Sequence, residues 1–148
     1  MSTKRFLAGL VALLMALSIL PAISLADSLG EYAPITTMDE LTEGDYVIYD
    51  TRDAYNGIMN NTISGNKMGL TAVTFSGDNI AVTDASVVWH IAYVEGSGYT
   101  LYNAAIAKYC EIVSASGTAG FAFNDTASNY YTIEVNDDGT FDIYNPNM

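Results

Sequence analysis

Residues 89–103 read WHIAYVEGSGYTLYN, and residues 131–145 read YTIEVNDDGTFDIYN. The two stretches align without a gap, 42 positions apart: Trp89 on Tyr131, Ile91 on Ile133, Tyr99 on Phe141, Leu101 on Ile143, Tyr102 on Tyr144 and Asn103 on Asn145. A third copy of the second half, YVIYD, stands at residues 46–50. A period of this length marks one supersecondary unit used several times. Each aligned stretch reads as a hairpin. Ile91 and Tyr93 share a strand face with Trp89, and His90, Ala92 and Val94 take the other. Glu95–Gly98 and Asp138-Gly139 supply the turns.

Working outward, the chain from Leu41 onward is β in pattern. Short runs rich in Val, Ile, Thr and Tyr are separated by turn chemistry at Glu43-Gly44-Asp45, Asn56-Gly57, Ser76-Gly77-Asp78-Asn79 and Asn136-Asp137-Asp138-Gly139. Such spacing predicts an all-β barrel or sandwich. Residues 27–39 read as an extended lead-in. Residues 56–78, polar and rich in Gly and Asn, read as a loop-rich, mobile region holding the extra residues of the first copy.

The N-terminus has the form of a secretory signal. Lys4 and Arg5 precede an apolar stretch over residues 6–20, Pro21 interrupts it, and Ser24-Leu25-Ala26 offers a cleavage site. The expected organisation is therefore a signal peptide over 1–26, a lead-in over 27–40 and a repeat domain over 41–148, in a secreted, extracellular protein. All 17 acidic residues follow the cleavage point, against Arg52, Lys67 and Lys108, a net charge of −14 for that part. This charge argues against nucleic acid and against an anionic membrane surface as partners. Cys110 is the single cysteine, so no internal disulfide forms, and its apolar neighbours favour burial.

The unit resembles the ricin-type β-trefoil lectin repeat. The strand YTLYN at 99–103 is followed by KYCEIV at 108–113, and YVIYD at 46–50 leads through KMGLT at 67–71 to Val87-Val88-Trp89. The resemblance spans roughly residues 41–145. It implies a secreted, pseudo-threefold β-trefoil-like barrel that binds sugars and is often appended to an extracellular enzyme. In this family a Gln stands where this chain has Val87. The family's sugar-binding Asp falls on Thr71 in the first copy and Glu111 in the second. On the same pattern, the third repeat begins near Asp138 and is truncated after one strand, so further domains beyond Met148 are expected.

The function expected is a non-catalytic carbohydrate-binding module whose partner is a polysaccharide or glycoconjugate. Tyr49, Tyr102 and Tyr144 recur at equivalent positions, suited to stacking on sugar rings or to packing between lobes. Glu111, Asn103 and Asn145 are the candidate hydroxyl partners, with Glu111 expected to point outward; for the two asparagines, capping of local turns is the alternative use. Trp89 belongs to the core by its phase with Ile91. His90 falls on Thr132 in the repeat and has no matching nucleophile, so no catalytic residue, metal site or cofactor is assigned. The acidic turn at 134–142 reads as an ordinary hairpin. Two other readings stand beside the lectin one: a structural or adhesive cell-surface domain without a small-molecule site, and the leading segment of a secreted hydrolase.

Overall fold

Period-two alternation decides the central hairpin. In β9 (Trp89–Val94) and β10 (Gly98–Asn103), Trp89, Ile91 and Leu101 turn to the inside, and the strands pair antiparallel with Leu101 opposite Ile91 and Tyr102 opposite His90. Gly98 has φ 124°, and a Cβ there would lie 2.6 Å from the Tyr131 carbonyl oxygen. A side chain at this position would push the two repeat copies apart.

The computed structural model describes residues 5–7, 29–115 and 118–148. It is all-β, with two 3₁₀ turns at Met38–Glu40 and Ala85–Val87. The presumed cleavage point after Ala26 lies outside the described residues. On one side of β9 lies β3 (Gly44–Tyr46); beyond β10 come β11 (Lys108–Ala115) and β12 (Thr118–Asn124), completing a five-stranded sheet. The hairpin of β13 (Thr132–Val135) and β14 (Phe141–Tyr144) joins it through Tyr131, which exchanges two 2.9 Å backbone hydrogen bonds with Tyr99. A third sheet holds β4 (Tyr49–Asp50), β5 (Gly57–Ser64) and β6 (Lys67–Thr71). A fourth holds β1 (Arg5–Leu7), β2 (Gly30–Ile35), β8 (Asn79–Val82) and β7 (Phe75–Ser76), with β1 parallel to β2.

Two apolar clusters fill the interior. The larger joins Ile35, Tyr46, Ile48, Trp89, Ile91, Leu101, Cys110, Tyr131, Ile133 and Phe141, so every repeat copy contributes. The smaller gathers Tyr32, Val47, Ile58, Ile80, Val82, Val87 and Val88. Alternation along the extended segment Tyr46-Val47-Ile48 between β3 and the next strand sends successive side chains to opposite clusters, so this segment ties both together. Trp89 is 0 % exposed, and its Nε1 donates to the Met59 carbonyl at 3.0 Å. A fully buried tryptophan with its single donor paired is a principal anchor of such a core.

Two expectations are corrected here. No closed barrel forms among the described residues: β3 and β14 are not hydrogen-bonded to each other, and the row of strands stays open between them. Residues 56–78 are not a loop but carry the β5–β6 hairpin and β7. Their polar composition misled because the hairpin is bulged between Met59 and Ile63, and its asparagines bond locally. Asn60 Nδ2 donates to Thr71 Oγ1 at 3.1 Å, and Asn60 Oδ1 accepts from Thr62 N and Oγ1. The lead-in is extended, as expected, yet it belongs to the folded unit, since Tyr32 and Ile35 are buried in the two clusters.

Candidate binding surface

The six candidate residues separate into a buried polar set and an outer aromatic set. Asn103 is fully buried at the end of β10. Its Nδ2 donates to the Ser86 and Val88 carbonyls at 3.1 and 3.0 Å, and its Oδ1 accepts from Asn61 Nδ2 and Ile106 N. Asn145 repeats the arrangement, donating to the Ile112 carbonyl at 3.2 Å and accepting from Asn147 N at 2.9 Å. Each side-chain oxygen caps its local turn, and each amide nitrogen ties the strand end to carbonyls distant in sequence.

Glu111 does not point outward. It is 1 % exposed on β11, and the segment over residues 124–129 folds over it. Its Oε1 accepts from the backbone N–H groups of Ser128 and Asn129. Its Oε2 accepts from Asn124 Nδ2 at 2.8 Å, Ser128 Oγ at 2.9 Å and Asn129 Nδ2 at 3.1 Å. Burial alone would raise the carboxyl pKa, but the hydrogen bonds from Ser128 and Asn129 outweigh it and hold the group below its ordinary range. Five donors on one carboxylate make Glu111 the clamp of this loop.

The tyrosines stay at the surface. Tyr102 is half-buried and pairs across the strands with Tyr109 of β11, ring centroids 5.0 Å apart and planes tilted by 57°. Tyr130, also half-buried, lies within electrostatic range of Tyr109. The Tyr109 hydroxyl is pushed up in pKa by burial first and then by Tyr102 and Tyr130. Beside this group, Lys108 forms an ion pair with Asp125 on the clamped loop. Tyr49 donates its hydroxyl to Asn56 Oδ1 at 2.6 Å and meets the edge of Phe75, itself 52 % exposed, at 5.7 Å. Tyr144 is 39 % exposed on β14. The structure therefore brings Tyr102 and Glu111 onto one sheet and separates Tyr49, Tyr102 and Tyr144 onto three repeat copies.

Sequence reasoning missed Tyr109 and Tyr130. The signal was present as alternation: Tyr109 precedes inward Cys110, and Tyr130 precedes inward Tyr131, so each faces out.

Cys110 packs against Met68, Sγ to Sδ 3.6 Å, and burial pushes its thiol up to about 12. His90 holds Asp45 Oδ1 at 2.9 Å on the outer side of the sheet. Among the described residues no cluster of three His, Cys, Asp or Glu side chains is placed to hold a metal ion, and no helix is long and apolar enough to cross a membrane. Comparison with protein-family models, with curated proteins and with solved structures yields no match.

Proposed function

We propose that this protein is an exported, non-catalytic carbohydrate-binding module of β-trefoil type. Its sugar platform is the tyrosine group of the second copy: Tyr102 and Tyr109, with Tyr130 at its margin. The observation that carries this reading is the cross-strand Tyr102–Tyr109 pair, held half-exposed beside a loop that Glu111 fixes. Aromatic faces of this kind stack on the C–H face of a pyranose, and phenol hydroxyls and the Lys108–Asp125 pair offer hydrogen bonds at its edge.

The trefoil assignment draws support from the strand sequence. β3, β9, β10, Tyr131 with β13, and β14 follow one another in space, and the hairpins β5–β6 and β11–β12 enter at equivalent points of the first two copies. In this reading Asn103, Asn145 and Glu111 position the platform and do not touch sugar. Tyr49 with Phe75, and Tyr144, form lesser platforms on the other copies. Single shallow sites bind weakly, so polysaccharide binding gains from several sites acting together.

The test is retention on a panel of immobilised polysaccharides. The parent should be retained on at least one, and Tyr102→Ala and Tyr109→Ala should each weaken retention by about tenfold, the scale of a lost stacking contact. An unretained parent, or variants retained as well as the parent, would overturn the proposal.

A further inference from the structure

One row of side chains crosses all five strands of the central sheet on its outer face. Asp45 of β3 stands opposite His90 of β9, His90 opposite Tyr102 of β10, Tyr102 opposite Tyr109 of β11, and Tyr109 opposite Asn124 of β12. Their chain neighbours Tyr46, Trp89, Leu101 and Cys110 are buried, so alternation turns the row outward. Adjacent strands lie about 4.8 Å apart, which puts the imidazole one strand spacing from the Tyr102 ring. Asn124, at the far end, is held by Glu111. What the row offers a ligand is therefore the tyrosine pair and the His90–Asp45 end.

At that end the hydrogen-bond roles are fixed. A carboxylate only accepts, so the 2.9 Å contact of Asp45 Oδ1 with His90 Nδ1 places a proton on Nδ1. In the neutral ring Nε2 is then an acceptor. It lies 3.8 Å from Glu43 Oε1, too far for a hydrogen bond, and the Glu43 side chain is 60 % exposed. The groups around the imidazole are acids and phenols. Glu43 and Asp45 come from the β3 side and Tyr102 from β10. Tyr32 comes from β2, its hydroxyl pushed up by burial and then by the Asp45 charge.

We propose that His90 Nε2 and the Glu43 carboxylate form an acceptor edge beside Tyr102, which selects a neutral polysaccharide with two adjacent free hydroxyls and turns away acidic ones. The inference rests on the tyrosine-platform reading and adds what that platform discriminates. A pyranose stacked on Tyr102 directs its ring hydroxyls sideways, one donating to Nε2 and its neighbour to Glu43 Oε1. A uronate or sulfated ring brings acceptors to an edge that has only acceptors. The Glu43 and Asp45 charges and the chain's net charge of −12 repel it as well. Asp45 acts through His90, as a positioning residue that holds the tautomer.

The test compares three matrices made from one neutral polysaccharide that retains the parent: unmodified, O-methylated and carboxymethylated. Retention is measured at about pH 8.5, above the range in which imidazole side chains ordinarily take up a proton. Methylation removes the donors and leaves the C–H faces for stacking. Parent retention should fall about tenfold on the methylated matrix and further on the carboxymethylated one. His90→Ala should lose about tenfold on the unmodified matrix and nothing more on the methylated one, a difference that misfolding would not give. Glu43→Gln, at an exposed side chain, should raise retention on the carboxymethylated matrix about threefold over the parent. A parent retained by no polysaccharide would overturn the platform and this edge together. Retention that falls in Tyr102→Ala, but neither on methylation nor in His90→Ala, would overturn the edge alone. So would retention confined to acidic or amine-bearing polysaccharides.

Discussion

The hairpins β5–β6 and β11–β12 follow equivalent strands, and each locks itself through one polar residue on a strand facing its partner. In the first, Thr71 Oγ1 accepts a single hydrogen bond from Asn60 across the hairpin. In the second, the corresponding role falls to Glu111, which accepts from Asn124, Ser128 and Asn129 together. The first hairpin is bulged and its lock is neutral. The second pairs in continuous register from Tyr109–Asn124 to Ala115–Thr118, and its lock is a buried charge. One scaffold position thus tolerates either chemistry, but only the charged version draws a distant loop into the fold, and that loop flanks the tyrosine platform.

Breaking the charged lock should have the largest effect on stability. Glu111→Ala removes the shared acceptor of five donors, and a loss of about 3 kcal/mol is expected in denaturant unfolding, with faster hydrogen exchange at Ser128 and Asn129. Glu111→Gln keeps part of the network and should cost about half as much.

The same comparison has a pH signature. The folded Glu111 pKa lies below its unfolded value, so its stabilisation is complete above the ordinary carboxylate range and is lost as pH falls through the lowered folded pKa. Melting temperatures of the parent and Glu111→Gln should therefore converge as pH falls through the lowered folded pKa of Glu111, while Thr71→Val keeps a constant offset from the parent. Thr71→Val should show the smallest loss, about 1 kcal/mol, as expected for one neutral hydrogen bond. An equal effect at both positions would remove the distinction between the two hairpins.

Much of this arrangement was legible in the chain itself, for physical reasons. Residues 89–103 and 131–145 alternate with period two and carry glycine turns, so their strands, their inward Trp89, Ile91, Leu101 and Ile133, and their outward Tyr102 and Tyr144 follow from local pattern, whereas Tyr93, expected on the Trp89 face, is 45 % exposed near the strand end. Cys110 is buried, as its neighbours suggest. The β5–β6 hairpin was hidden because a bulge breaks the alternation and Asn60 bonds to the neighbouring threonines Thr62 and Thr71, giving the composition of a loop. Glu111 was misread because a strand's pattern shows which face is apolar but not what covers the other; the cover comes from residues 124–129, beyond the next strand. The roles of Asn103 and Asn145 depend on carbonyls 15 to 33 residues back, which no local window contains.

The sulfur contact between Cys110 and Met68 carries a consequence for the life of the chain. With burial pushing its thiol up to about 12, Cys110 stays protonated at neutral pH. Thiol–disulfide exchange needs the thiolate and needs access, and a buried side chain denies both. Once folded, the protein can cross an oxidising compartment chemically silent, acquiring neither mixed disulfides nor covalent dimers, its lone sulfhydryl kept as an ordinary piece of hydrocarbon-like filling.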